Sequence, residues 1–160
     1  MNSAPTSTNV YLDANFLVAY LLSSHADSKK AQKIFAKILI GNNKMLFSPL
    51  TVDELMHGIY KTLRDQERIN GSLPDKSHRD YLNDIKQAVK LISEGASFSI
   101  IQFEIDSTKG CLQAVENVDK YNFRPRDAFH LAYMQDHKIK YIITNDTKFD
   151  RATGIKRVSF

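Results

Sequence analysis

Four acidic residues stand where apolar, strand-like runs end or where a helix begins. Asp13 follows Val10-Tyr11-Leu12, Glu54 comes a few residues after Met45-Leu46-Phe47, Asp127 follows Arg124-Pro125-Arg126, and Asp146 follows Tyr141-Ile142-Ile143. In an α/β protein the carboxyl ends of parallel strands and the helix starts beside them open onto one crevice, so acids far apart in the chain can meet there. Carboxylates gathered in one place repel, and at least one pKa rises unless a cation offsets them. A hard divalent ion such as Mg²⁺, or Mn²⁺ in its place, is the expected occupant: it takes a few carboxylates and keeps several waters, leaving positions for a phosphate oxygen and an attacking water. Taken singly, each acid has a plainer explanation. Asp127 could cap a helix, and Glu54 could favour a helix start.

The elements that would carry these acids can be read from the apolar spacing. Val10 to Leu12 reads as the end of a buried strand and Asn15 to Leu22 as an apolar helix. A second helix starts near Asp27 or Ser28, with Ala31, Ile34, Phe35, Ile38 and Leu39 at helical spacing. Lys44 to Ser48 is strand-like, Pro49 breaks it, and from Thr51 a long helix carries Val52, Leu55, Met56, Ile59, Tyr60 and Leu63 on one stripe, with Glu54 beside that stripe. A carboxylate so placed can face a cleft and gain from the helix dipole. The charged stretch Asp65 to Lys76, with Gly71 and Pro74, predicts a loop or mobile helical tip. Ser77 opens a further helix with Leu82, Ile85, Val89 and Ile92 buried. Phe98 to Phe103 and Lys140 to Thr144 are strands, with helices over Asp106 to Asp119 and Arg126 to His137, and Ile155 to Ser159 closes the chain as a short strand. Strands alternating with helices predict a three-layer α/β/α sandwich around a mainly parallel sheet, one domain over residues 1–160.

Bulk properties narrow the function classes. Apolar content of 42% and charged content of 25% are those of a globular protein. Phe16 to Leu22, the longest apolar stretch, is too short to span a bilayer. Met1 to Asn9 lacks a basic region and an apolar core for secretion, and the single Cys111 cannot form an internal disulfide, so a reducing, cytoplasmic setting is expected. Cys111, beside Leu112 and Val115, reads as a small buried hydrophobe. The net charge of +4, despite four acids assigned to one pocket, leaves a basic remainder at Lys29, Lys30, Lys33 and Lys37, at Lys61, Arg64 and Arg68, and at Arg124 and Arg126. That suits a polyanionic partner, although any single run also fits a solvated helix face.

The motifs Val10-Tyr11-Leu12-Asp13-Ala14-Asn15, Ser48 to Gly58, Arg126-Asp127-Ala128-Phe129-His130-Leu131-Ala132 and Ile143-Thr144-Asn145-Asp146-Thr147-Lys148-Phe149 resemble the PIN domain, in particular toxin ribonucleases of the VapC type. The resemblance spans nearly the whole chain in order. It implies a metal-dependent endoribonuclease whose acidic quartet is Asp13, Glu54, Asp127 and Asp146, with Asn15 and Thr144 helping to hold the metal's water shell, and with products bearing a 5′-phosphate and a 3′-hydroxyl. Asp13 and Asp146 are expected as principal ligands, with Glu54 and Asp127 completing the site directly or through water. Asp150 is a fifth, supporting candidate. Asp53 adjoins Glu54, but Glu54 with Gly58 four residues later matches the family pattern better. The resemblance also implies RNA as substrate, a cognate antitoxin and a homodimer. The length and charge of Asp65 to Ser97 leave room for a stand-alone PIN ribonuclease.

Other chemistries fit less well. His57 and His130 each lie three residues after an acid, yet no close Cys/His set supports zinc; His57 reads as a rim residue and His130 as a packed, hydrogen-bonded one. A dehalogenase-like phosphatase would want a second Asp where Asn15 stands, and the acid and lysine order of receiver domains is not present. An inactive RNA-binding module would not need all four acids. Tyr121 and Phe123, beside Arg124, are the aromatics placed to read a base, with helix packing as the alternative.

Overall fold

The computed structural model describes residues 5, 7–71 and 76–160. The elements run β1 (Asn9–Leu12), α1 (Ala14–Leu21), α2 (Ser28–Ile40), β2 (Lys44–Phe47), α3 (Pro49–Ile69), a 3₁₀ turn (His78–Tyr81), α4 (Leu82–Glu94), β3 (Phe98–Ile100), α5 (Ser107–Tyr121), α6 (Pro125–Asp136), β4 (Tyr141–Ile143), a second 3₁₀ turn (Thr147–Arg151) and β5 (Lys156–Val158). The strands pair in the order β3-β2-β1-β4-β5, and every pairing is parallel. This is the three-layer sandwich that the alternation of elements predicts. The chain leaves β1 toward β2 and β3 on one side and later fills β4 and β5 on the other, so the order reverses between β1 and β4. At such a switch point the connections diverge to opposite faces and open a crevice at the strands' carboxyl ends.

The strand period of two assigns side chains to layers. Val10 and Leu12 face a core shared with α1 to α4, including Phe16, Leu17, Leu55 and Ile59, whereas Tyr11 faces the opposite layer with Leu131, Met134 and Phe149. α3 begins sharply because the Ser48 hydroxyl accepts a hydrogen bond from the Thr51 N–H, the Ser48 N–H donates in turn to Thr51 Oγ1, and Pro49 occupies the first turn. α1 can approach α3 closely because residue 58 is glycine: a Cβ there would lie 2.6 Å from Val18 Cγ2. A β-branched side chain has little χ1 freedom to retreat. Gly58→Val should therefore lower unfolding free energy by about 1–3 kcal/mol, as overpacking typically does, measurable by urea denaturation.

Several sequence expectations are corrected. Of the two readings given for Asp65 to Lys76, the helical tip holds for Asp65 to Ile69, which continues α3, and it is anchored: Glu67 accepts from the Tyr81 hydroxyl and from Lys76, and Tyr60 stacks on His78. Pro74, expected in that loop, lies outside the described residues, as do residues 1–4 and 6 of the N-terminal segment. Leu82 is exposed, and α4 buries Ile85, Ala88 and Ile92. Cys111 is exposed, with Leu112 and Val115 beside it. α5 buries Gly110, Ala114 and Asn117 instead, small or polar residues that allow close packing on α6, where Asn117 donates to the Ala128 carbonyl and to Gln135. Tyr121 and Phe123 are core residues, not exposed base readers. Among the described residues, no helix is long and apolar enough to cross a membrane.

Candidate active site

Asp13 and Thr144 are the first residues past the ends of β1 and β4, which pair through Leu12 and Ile143. They therefore sit side by side at the switch point. The Thr144 hydroxyl donates to Asp13 Oδ2, accepts from Asn15 Nδ2 at 3.0 Å, and accepts the Asp146 N–H at 3.0 Å. One fully buried hydroxyl thus fixes the carboxylate of Asp13, the amide of Asn15 and the backbone of Asp146. Asn15 and Thr144, expected to support a metal's water shell, are seen to position the two acids.

Glu54 enters from the first turns of α3, with its side chain 19% exposed. His130 Nε2 lies 2.8 Å from its Oε2, and His130 Nδ1 lies 2.8 Å from the Tyr11 hydroxyl, which in turn donates to Ser48 Oγ. Both ring nitrogens are engaged, so His130 holds Glu54 in place, as the reading of a packed, hydrogen-bonded residue predicts. Burial pushes the pKa of the Tyr11 hydroxyl far up, so this relay stays neutral at its inner end. The relay links β1, the α3 cap and α6, and spacing alone does not reveal it. Donor atoms of Asp13, Glu54 and His130 lie within 4.8 Å of one another.

Asp127 and Asp146 form the outer side. Lys148 Nζ lies 3.4 Å from Asp127 Oδ2 and 3.3 Å from Asp146 Oδ2. Asp146 Oδ1 also accepts the Lys148 N–H, so the acid caps the second 3₁₀ turn while facing the cleft. Asp150 turns toward β5, where Arg157 grips it through two 2.9 Å hydrogen bonds. Asp53 is tied only loosely, to Arg126 at 3.6 Å, and that guanidinium is also 3.9 Å from Glu54. The geometry thus joins Asp13, Asp146 and Asp127 through Thr144 and Lys148, and brings Glu54, held by His130, within 4.8 Å of Asp13. It leaves Asp150 and Asp53 at the margin. Lys148, like the Tyr11 relay, escapes sequence reading because its partner at Asp127 is brought in only by folding.

Desolvation raises the Asp13 pKa above the ordinary carboxylate range, opposed by the charge of His130 and the Thr144 hydrogen bond and reinforced by Glu54. Carboxylate oxygens converging on a desolvated point fit a hard divalent cation by donor type. Beside them a groove of about 320 Å³ runs between α1 and α3, with Asn15, Gly58, Lys61, Asn145 and Phe160 on its walls.

Comparison with known proteins agrees with this architecture. No curated protein matches the chain. Among solved structures, VapBC2 from Rickettsia felis bound to a promoter DNA fragment is 16% identical, with a TM-score of 0.59 over 94% of this chain and 98% of that one. VapC20 from Mycobacterium tuberculosis, a toxin that cleaves the sarcin-ricin loop, is 17% identical with a TM-score of 0.61 over 90% and 95%. A toxin-antitoxin complex from Klebsiella pneumoniae is 22% identical with a TM-score of 0.51 over 92% and 95%. At such identities the likeness concerns the fold. The sequence itself matches the PIN domain model over residues 10–155, which takes in all four network acids, and on that match the chain belongs to the PIN domain family.

Proposed function

We propose that this protein is a Mg²⁺- or Mn²⁺-dependent endoribonuclease and the toxin of a type II toxin-antitoxin pair. The observation that carries the reading is the convergence of Asp13 and Glu54, joined through Thr144 and Lys148 to Asp146 and Asp127, at the switch point of the sheet. Asp13 and Glu54, rather than the pair Asp13 and Asp146 expected from the resemblance, would hold the cation directly, with Asp127 and Asp146 completing the site through water. A bound divalent ion supplies the activation of water and the neutralisation of phosphate charge that in-line hydrolysis needs. The chain's own residues do the rest. Thr144 orients Asp13, His130 orients Glu54, and Lys61 on the groove wall and Arg126 beside Glu54 would contact a phosphate backbone. Lys29, Lys33 and Lys37 on α2 are exposed as well and add to the basic character of the molecule.

The toxin assignment draws on the neighbours, which include the toxin VapC20 and the toxin-antitoxin complex from Klebsiella pneumoniae. Leu112, Val115 and Val118 are exposed along α5 and offer an apolar face for the expected homodimer. A cognate antitoxin would cover the cleft.

The test is incubation of the purified chain with structured and single-stranded RNA in Mn²⁺ or Mg²⁺. Discrete fragments with 5′-phosphate and 3′-hydroxyl ends, abolished by EDTA and absent with Asp146→Asn, are expected. RNA left intact under all metal conditions, or cleavage indifferent to EDTA, would overturn the reading.

A further inference from the structure

The carboxylate network is asymmetric. Its inner half, Asp13 and Glu54, has no ammonium or guanidinium closer than Arg126 at 3.9 Å among the described contacts. Its outer half is bridged by Lys148, whose ammonium stands 3.3 Å from Asp146 Oδ2 and 3.4 Å from Asp127 Oδ2. The bridge is built into the backbone. Asp146 Oδ1 accepts the Lys148 N–H at 2.9 Å, so the 3₁₀ turn folds the lysine back over the acid that caps it, and the lysine side chain is only 32% exposed. Both oxygens of Asp146 are thereby engaged by the same residue.

Two-ion phosphoryl-transfer sites place their cations roughly 3.5–4 Å apart, bridged by shared carboxylates. An ammonium in contact with both outer carboxylates supplies these two acids with positive charge of the kind a second ion would bring, at half its magnitude. We propose that Lys148 is a resident substitute for the second cation, so that the protein binds a single divalent ion, centred on Asp13 and Glu54, while Lys148 neutralises Asp127 and Asp146. This rests on the metal-site reading above and adds to it the stoichiometry and the residue that sets it.

Calorimetric titration of Mn²⁺ into the full chain tests the inference, with Lys148→Met, Lys148→Arg and Asp13→Asn beside the parent and circular dichroism confirming that each is folded. The parent should take up one ion, Lys148→Arg one, and Lys148→Met two, because removing the ammonium exposes a pair of uncompensated carboxylates. The cleavage rate of Lys148→Met should change from first-order to second-order in Mn²⁺ concentration. Two ions bound by the parent, or one ion bound by parent and Lys148→Met alike, would overturn the role of Lys148. Asp13→Asn separates the two levels: one ion in the parent and none in this variant sustains the metal site whatever Lys148 does, while no ion in any protein would overturn the metal site and this inference together.

Discussion

Replacing Asp13 by Asn is expected to lower RNA cleavage by about 10²–10³-fold or more, the scale on which removal of a key electrostatic group acts, while making the metal-free protein more stable. The two effects have one cause. Asp13 is desolvated, and its pKa is raised above the value it would have in the unfolded chain. For such an acid the folded state binds its proton more tightly than the unfolded state does. Its contribution to stability is fully present below the unfolded pKa and is lost as pH rises through the folded one. At neutral pH the metal-free protein therefore carries the cost of a desolvated carboxyl group whose unfolded-state charge the fold disfavours, and the neutral amide of Asn removes it. Thermal melts in EDTA between pH 4 and 8 should show the parent losing stability as pH rises and Asp13→Asn losing less. Added Mn²⁺ should raise the melting temperature of the parent and leave that of the variant nearly unchanged. An Asn variant that cut RNA as fast as the parent, with contaminating nucleases excluded, would remove Asp13 from the mechanism.

The largest stability effect is expected at Phe16. Its ring is fully buried in the first turn of α1, directly behind Asp13 and Asn15, edge-on to Phe160 at 5.2 Å and stacked near Tyr20 at 6.3 Å. Phe16→Ala should cost about 3–5 kcal/mol, the transfer and cavity terms of a large aromatic together. At ~2–4 °C per kcal/mol for a domain of this size, the melting temperature should fall by roughly 6–20 °C. Because α1 carries Asn15 and starts at Asp13, the loss should also appear as reduced cleavage at temperatures where the variant is still folded. A melting temperature within a degree of the parent would mean that α1 is not anchored by this ring.

The legible parts of the molecule are those encoded by local pattern. Apolar runs ending in Asp13 and before Asp146 and the position of Glu54 beside its stripe are all local, and the structure places them where that pattern points; α3 itself starts at Pro49, two residues before the start at Thr51 that its stripe predicts, because Ser48 caps it. What was not legible depends on partners far away in sequence. The charged end of α3 has no apolar period, so its sequence leaves loop and helical tip open; it is helical through contacts with Lys76, His78 and Tyr81. The face of α5 was misassigned because its packed residues are small, Gly110 and Ala114, while its larger apolar side chains are exposed. Gly110, unhelpful to a helix in isolation, is required by the Phe103 ring, which an added Cβ would meet at 2.7 Å. Within the site, the acids were visible as residue types at strand ends. The Tyr11-His130-Glu54 relay and the Lys148 bridge join residues up to 119 positions apart, and only the folded chain reveals them.

Anomalous scattering from a crystal grown with Mn²⁺ tests the central claim most directly. The account predicts a manganese peak within coordination distance of Asp13 and Glu54, lost in Asp13→Asn crystals. No peak at saturating Mn²⁺, or one bound away from these two carboxylates, would contradict it.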